Sequence, residues 1–399
     1  MNRRHFVSSF AAAIPVVALK ANPLAASASV SAKGADPLTI VSVEVLELTG
    51  KNDYQAYYVK VGAKNGLFGT YGPIDYEAAI QVDQFFASRL VGVNGLAIEA
   101  HWDKMIRASR HSRGSHYSIG LSAIDNALWE LRGQFFQQPV YRLLGGERRR
   151  LRAYASCLGF SQEPGDLKAK VQELKAEGYR HQKWFLSQRG PTFGPEGVSK
   201  DAEIFRLLRE AAGADTELMI DASRKWDLQY ALAWCRKVEQ FNPWWIEEPF
   251  QSLHIDSVVE LSRNTSIPVA MGEHFYSRWD VHDYLKAGAI RVVQADPEWC
   301  GGVSELVKIC NIASVHGAHV IPHGHNLRSA MHVVASQPEE LCPLVEFLIK
   351  KMTGTYHYFE KNPPLPVEAH FVMDELPGFG IELDESKIAE MKPVRWVKG

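Results

Sequence analysis

The chain has 399 residues, which leaves room for two domains of ordinary size, or for a large barrel with a smaller companion, and excludes a single small module. Its composition, 46% hydrophobic and 23% charged, is that of a globular protein and excludes a disordered or collagen-like chain. The formal net charge of −2 provides no positive field for a polyanion, so we expect no nucleic-acid partner.

Residues 1–28 predict an export signal. Arg3 and Arg4 precede an apolar run that is too short to span a bilayer as a stable helix, and residues 26–28 form an Ala-Ser-Ala cleavage pattern. The paired arginines before apolar residues resemble a Tat signal, which exports proteins already folded. We therefore expect a periplasmic protein without an integral membrane span.

Residues 37–150 predict an α+β domain. Residues 38–48 and 54–61 nearly alternate apolar and polar side chains, as antiparallel strands do. In residues 75–90 and 120–136 the apolar side chains return at helical spacing.

After residue 150 the pattern changes to short apolar strands that alternate with amphipathic helices. The predicted strands are residues 152–157, 179–185, 217–221, 244–247, 267–271, 291–295, 318–322 and 342–346. Eight strands with crossover helices predict a TIM-type barrel over residues 151–346. Residues 347–399 lack this pattern, and we expect them to return to the first domain.

Acidic residues stand at the ends of three consecutive predicted strands. Asp221 ends the third strand, Glu247 ends the fourth, and Glu273 follows the fifth. The carboxyl ends of barrel strands converge on one mouth, where carboxylates at close range either take up protons or bind a cation. An all-oxygen ligand set favours a hard ion, so the sequence predicts a Mg²⁺ site on these three residues. We expect Glu248 to point to the other side of its strand and form a structural ion pair.

The next two strand ends supply a carboxylate and an imidazole. Asp296 follows the sixth strand and His323 the seventh. A carboxylate beside an imidazole fixes its tautomer and raises its basicity, which suits a general base near neutral pH. We predict His323 as the base, with His325 as the alternative, and we place Glu346 at the end of the eighth strand to complete the ring.

Four motifs resemble the mandelate racemase branch of the enolase superfamily, at residues 119–129, 141–146, 246–249 and 272–273. The resemblance implies an α+β capping domain on a (β/α)7β modified TIM barrel, with Mg²⁺ on Asp221, Glu247 and Glu273 binding a substrate carboxylate. It implies removal of the proton alpha to that carboxylate and stabilisation of the resulting enediolate by the metal. It also implies a homo-oligomer and specificity set by capping-domain loops, here near residues 51–54 and 68–73.

Within that branch, residues 294–302 and 322–324 resemble the L-rhamnonate dehydratase-like acid-sugar dehydratases, and Gly272-Glu273-His274 fits them too. Racemases of the branch carry a Lys-x-Lys pair on the second strand, whereas this chain has Lys183 followed by Phe185 at the second position. Phenylalanine carries no proton, so the two-base arrangement is lost. Dehydration needs one imidazole, which removes the alpha proton and then protonates the departing beta hydroxyl.

The predicted function is a Mg²⁺-dependent dehydratase of aldonate or aldarate acid sugars, which produces a 2-keto-3-deoxy acid. The predicted catalytic residues are His323, Asp296, Lys183 and Glu346, with Lys183 stabilising charge on the substrate carboxylate. The predicted substrate contacts are His274, His325, Trp299 and His181. A racemase, epimerase or cycloisomerase on the same site is the first alternative, and an exported acid-sugar binding protein without turnover is the second.

Overall fold

The computed structural model describes residues 38–109, 114–186 and 190–396. The predicted export signal at residues 1–28 lies outside these ranges. The residues in these described ranges form one compact unit. Within the described ranges we find no helix with the length and apolarity that a bilayer crossing requires.

The first domain consists of an antiparallel sheet covered by helices. Its elements are β1 (Ile40–Gly50), β2 (Gln55–Ala63), β3 (Phe68–Ile74), α1 (Tyr76–Gln81), a π-helical turn (Val82–Phe86), α2 (Ala87–Leu90), α3 (Ile98–Ala108), α4 (His116–Phe136) and α5 (Val140–Leu143). The prediction of a loop at residues 68–73 is wrong, because these residues lie in β3 and pair with β2. Glycines in β3 obscured the strand pattern, and they serve close packing: a Cβ on Gly69 would lie 2.5 Å from the Leu131 nitrogen of α4.

The second domain confirms the predicted (β/α)7β barrel. Its elements are β4 (Arg150–Ser156), α6 (Pro164–Ala176), β5 (His181–Phe185), α7 (Gly194–Ala212), β6 (Glu217–Asp221), α8 (Leu228–Val238), β7 (Trp245–Glu247), α9 (Ile255–Arg263), β8 (Val269–Met271), α10 (Arg278–Lys286), β9 (Val292–Val293), α11 (Val303–Val315), β10 (His319–Val320), α12 (Arg328–Ser336) and β11 (Val345–Leu348). Short 3-10 turns lie at Pro191–Phe193 and Glu239–Phe241. The parallel strands are ordered β10-β9-β8-β7-β6-β5-β4-β11. The last strand runs later than predicted, so Glu346 lies inside β11 and not at its end.

The chain after the barrel returns to both domains. It contains α13 (Ile349–Met352), β12 (His370–Val372), a 3-10 turn (Glu385–Lys387) and β13 (Ile388–Val394). Strand β12 pairs antiparallel with β4, and β13 pairs antiparallel with β1, with Val394 opposite Val45. The sheet of the first domain therefore has the order β13-β1-β2-β3.

Helix α4 fixes the loop that follows β9. Asp125 accepts a hydrogen bond from the Ser304 backbone at 2.9 Å, and the Trp129 indole donates to the Ser304 hydroxyl at 2.9 Å. Gly302 has a φ of 89°, and a Cβ there would lie 2.4 Å from an Asp125 carboxylate oxygen, so only glycine fits. Because the same loop begins with Asp296, the first domain helps to position the barrel mouth.

A buried ion pair attaches the tail to the barrel. Arg328, at the start of α12, donates from Nε to Glu360 at 2.9 Å, and His357 Nδ1 lies 2.6 Å from the other oxygen of Glu360. Glu360 is fully buried and Arg328 nearly so. Such a network stabilises the fold only while every charged group keeps its partners.

Replacing Arg328 with Met is expected to lower the free energy of unfolding by about 3–5 kcal/mol, because a buried carboxylate loses its cationic partner. Urea unfolding followed by tryptophan fluorescence measures this loss. The control is Arg206→Met, which breaks an exposed pair with Glu203 and should leave the unfolding midpoint unchanged. Equal losses in the two variants would contradict the role of the buried pair.

Candidate active site

The predicted acids converge at the carboxyl ends of the barrel strands. The strand register places Phe185 of β5 beside Asp221 of β6, and Asp221 beside Glu247 of β7. Glu273 lies two residues beyond β8. The regular stagger of a parallel barrel therefore brings together groups that are far apart in the sequence.

Lys183 is a fully buried cation among these acids. Its Nζ lies 2.8 Å from Glu346 and 3.8 Å from Asp221, and it donates a hydrogen bond to Glu247. Burial alone would lower the pKa of Lys183, but the neighbouring carboxylates, Glu247 and Glu346 above all, hold it well above the ordinary lysine value. Lys183 is therefore charged and balances part of the negative charge at the mouth.

One lysine does not compensate the whole acidic group, so the remaining acids hold protons more strongly than ordinary carboxyl groups do. Burial raises the pKa values of Asp221, Glu247, Glu248 and Glu273 to about 7, and repulsion between them adds to the rise. Glu346 differs: although burial opposes its ionisation, Lys183 and His323 lower its pKa to about 2. Glu346 is thus an ionised partner of Lys183, whereas the other four acids resist full ionisation because their charged forms repel one another.

Glu248 lies at the mouth, and the prediction that it points away is wrong. Its φ of 38° is left-handed, so the alternation of side chains along β7 stops at this residue. Glu248, Glu273 and His274 form the group of described residues whose ligand atoms all lie within 4.8 Å of one another. Arg224 Nε lies 3.3 Å from Glu248 and offsets part of its charge.

These residues fit a divalent cation. Four buried carboxyl groups with raised pKa values repel one another, and a bound cation would relieve that repulsion. Glu247 already accepts hydrogen bonds from Trp245 at 3.1 Å and Gln294 at 2.5 Å, so its orientation is fixed. Oxygen ligands from Asp221, Glu247 and Glu273, with Glu248 adjacent, suit Mg²⁺.

His323 faces the acids with one nitrogen and its partner Asp296 with the other. Nδ1 lies 2.7 Å from Asp296, which also accepts the backbone N–H of His325 at 3.1 Å, and Nε2 lies 3.5 Å from Glu273. Burial lowers the pKa of His323, but the charge of Glu273 and the bond to Asp296 outweigh burial and raise the pKa to about 10. A group that neutralises Glu273 therefore brings this pKa back toward the range of a general base.

A residue of the first domain, Asp75, reaches the barrel mouth. It lies between β3 and α1 and accepts from His325 Nε2 at 2.8 Å and from the Trp299 indole at 2.9 Å. The Trp299 ring stacks on His323 with centroids 5.0 Å apart and packs against His325 and His274. Asp75 follows a strand that the sequence pattern did not reveal, so sequence reasoning missed it.

A cavity of about 310 Å³ opens between these groups. Its lining comprises Leu158, Lys183, Phe185, Asp221, Ser223, Arg224, Glu273, His323, His325, Glu346, Leu348 and Lys351. Five of the predicted residues lie outside this lining, and four of them still touch residues of the mouth: Glu247, Asp296, His274 and Trp299. Arg224 and Lys351 were missed, since each follows a strand by several residues and no spacing rule places it.

His181 is the fifth residue, and the structure does not bring it to the site. It begins β5, whereas the cavity is at the other end of that strand. Its ring packs on Trp244 at 5.1 Å, and burial lowers its pKa to about 4. His181 is therefore a neutral, half-buried residue at the amino end of the barrel.

Comparison with known proteins agrees with this architecture. Residues 39–145 match the mandelate racemase / muconate lactonizing enzyme N-terminal domain, and residues 166–387 match the enolase C-terminal domain-like family. The chain belongs to the mandelate racemase and muconate lactonizing enzyme family of the enolase superfamily. This confirms the resemblance drawn from the sequence motifs.

Named relatives of this family include acid-sugar dehydratases. The chain is 31% identical over 300 residues to the arabinonate dehydratase of Saccharolobus solfataricus, covering 74% of this chain and 78% of the relative. It is 31% identical over 345 residues to the L-rhamnonate dehydratase of Saccharopolyspora erythraea, covering 84% and 85%. An enolase superfamily member from Salmonella Typhimurium shares the fold, with a TM-score of 0.81 at 24% identity, covering 90% of this chain and 100% of that one.

The acid cluster predicts how a divalent cation affects stability. In the folded, metal-free protein the four carboxyl groups keep protons up to pH about 7, but in the unfolded chain they release them near the ordinary values of 3.8 and 4.5. The folded state binds more protons in between, so stability falls as the pH rises from about 4 to about 7. Mg²⁺ should therefore raise the thermal unfolding midpoint more at pH 8 than at pH 5.

Scanning calorimetry with MgCl₂ or with EDTA at both pH values measures this difference. Asp221→Asn, which removes one charge from the cluster, should reduce the effect of Mg²⁺ at pH 8. A shift of equal size at the two pH values, or an unchanged shift in this variant, would contradict a cation site on these carboxylates.

Proposed function

We propose that this protein is a Mg²⁺-dependent dehydratase of aldonate or aldarate acid sugars. The observation that carries the proposal is the arrangement of one imidazole, His323, held by Asp296 and facing a cluster of acids that line the same cavity. The kinship to arabinonate and L-rhamnonate dehydratases supports this substrate class.

One set of residues would bind the cation and the substrate carboxylate. Asp221, Glu247 and Glu273 would hold the cation at the ends of three consecutive strands. Of these, Glu273 belongs to the group of described residues whose ligand atoms lie within 4.8 Å of one another, together with Glu248 and His274. The bound cation would supply the positive charge that stabilises a substrate carboxylate as it gains electron density. Lys183, which Glu247 and Glu346 hold in place, adds a second fixed positive charge at the same wall of the cavity.

His323 is the proposed base. Its Nδ1 is bound to Asp296, so Nε2 is the nitrogen left to take the proton alpha to the substrate carboxylate. Trp299 stacks on the ring and restricts its rotation. Breaking the bond to the beta hydroxyl then gives an enol, which ketonises to a 2-keto-3-deoxy acid.

Phe185 disfavours the alternative of racemisation. It lines the cavity on β5, next to Asp221 in the strand register. This is the position that the second base of a racemase would occupy. A phenyl ring accepts no proton, so proton removal from one face and delivery to the other would need another group. Elimination has no such requirement.

The purified protein with Mg²⁺ is expected to form a 2-keto-3-deoxy acid from at least one member of a panel of aldonates and aldarates that includes arabinonate and rhamnonate. Excess EDTA should abolish the product, which a carbonyl-specific reagent detects. A silent panel, with Mg²⁺ shown to bind, would contradict dehydration. Solvent deuterium at an inverted alpha carbon, with no keto acid, would identify an epimerase.

His323→Asn is expected to lower the dehydration rate by about 10²–10⁴-fold, because the base is removed while a polar side chain is retained. The control is His319→Asn, which changes an exposed imidazole on β10. Calorimetric titration with Mg²⁺ should give similar affinities for both variants. A rate close to that of the wild type in His323→Asn would overturn the assignment of the base.

A further inference from the structure

A lysine ammonium, Lys351, lines the cavity, and the proposed mechanism does not use it. Lys351 lies in α13, directly after β11, and lines the cavity together with His323. Its Nζ is 2.7 Å from Nδ1 of His325 and 4.1 Å from the centroid of the Tyr356 ring. His325 occupies one of the three N–H groups of this ammonium.

The hydrogen bonds around His325 define which of its nitrogens carries a proton. Burial opposes the ionisation of Asp75, but its bonds from His325 and Trp299 lower its pKa to about 2, so Asp75 is ionised. His325 must then carry its proton on Nε2, which faces Asp75 at 2.8 Å. Nδ1 is left as an acceptor, and it accepts from Lys351. Asp75, His325 and Lys351 thus form one chain of hydrogen bonds; we call it the Lys351 relay.

Lys351 holds its proton less tightly than an ordinary lysine does. Burial lowers the pKa of Lys351 to about 8, while the charges of Asp296, Asp75, Glu298 and Glu346 prevent a larger fall. Burial and the adjacent Lys351 also lower the pKa of His325, which stays a neutral acceptor. An ammonium with a pKa near the working pH is both protonated and able to give up its proton.

The Lys351 relay is separate from the base. His323 has Asp296 as its partner, whereas His325 has Asp75, and the two imidazole centroids are 6.3 Å apart. Trp299 packs against both rings, with its centroid 5.0 Å from that of His323 and 4.8 Å from that of His325. The cavity therefore presents two sets of proton-transfer groups with different partners.

We propose that Lys351 is the general acid that protonates the departing beta hydroxyl, so that His323 acts as the base alone. This inference rests on the proposed dehydratase function and assigns its second proton transfer. It replaces the single-imidazole scheme, in which one ring must collect a proton at the alpha carbon and deliver it at the beta oxygen.

The elimination proceeds in two stages. His323 Nε2 takes the proton from the alpha carbon, and the electron pair of that bond moves into the substrate carboxylate to give an enediolate. The pair then returns to form the double bond between the alpha and beta carbons as the carbon–oxygen bond at the beta carbon breaks. The leaving oxygen takes a proton from Lys351 Nζ and departs as water. The enol gains a proton at the beta carbon and loses its hydroxyl proton to become the ketone. His323 returns its proton to solvent, and Lys351 regains one from solvent.

The test compares Lys351→Met with Lys350→Met, using the aldonate on which the wild type forms a keto acid. Lys350 is the neighbouring lysine in α13, but it is exposed and binds the Gly159 carbonyl away from the cavity. Three rates are measured: dehydration, exchange of the alpha proton with solvent deuterium, and elimination of fluoride from the 3-deoxy-3-fluoro analogue. Fluoride is a good leaving group and needs little help from an acid.

Lys351→Met is expected to dehydrate about 10²–10⁴-fold more slowly than Lys350→Met. It should keep the exchange of the alpha proton, since His323 is intact, and should eliminate fluoride at a rate within about threefold of the control. Lys351→Arg, which retains the charge but has a pKa too high for proton donation, should show the same pattern.

Three results would overturn the proposal. Dehydration by Lys351→Met at the rate of the control removes any role for Lys351. If Lys351→Met loses alpha-proton exchange and fluoride elimination as well as dehydration, Lys351 has a structural or binding role instead. If the wild type dehydrates no acid sugar, the proposed dehydratase function is wrong. That outcome is distinct from an error about Lys351 alone, which requires a wild type that does dehydrate.

Discussion

The accumulation of buried carboxylates at one end of the barrel is the constraint on which the site depends. Lys183 balances Glu247 and Glu346, Arg224 balances Glu248, and His323 faces Glu273. Among the described residues of the mouth the cations are fewer than the acids, and burial together with repulsion between the negative charges of the acids raises the pKa values of Asp221, Glu247 and Glu273. The positions of the cations, the fixed hydrogen bonds of Glu247 and the proposed cation site all follow from the need to compensate this charge.

The sequence predicted the barrel and most of its mouth because barrel geometry converts spacing along the chain into proximity in space. Asp221 and Glu247 end successive strands, and parallel pairing places them side by side. Asp296 and His323 follow the same rule, and their 2.7 Å contact matches the predicted pair. The rule failed at Glu248, where a left-handed φ of 38° interrupts the alternation of side chains.

Other parts of the site depend on contacts that no local pattern encodes. Asp75 comes from the first domain and Lys351 from the segment after the last strand, and both meet at His325. Their positions are set by the docking of α4 on the loop after β9 and by the return of the tail. His181 shows the opposite error: its imidazole suggested a substrate contact, but its position at the start of β5 places it at the end of the barrel away from the cavity.

The pairing of β1 with β13 has a consequence for biosynthesis. Val45 and Val394 lie opposite each other, so an edge of the first sheet is supplied by residues that follow the whole barrel in the chain. Until β13 has been synthesised, β1 exposes the unpaired backbone groups of an edge strand, a surface prone to association with other chains. The first sheet therefore closes only after the barrel has been made, and a chain truncated before β13 loses the element that covers this edge.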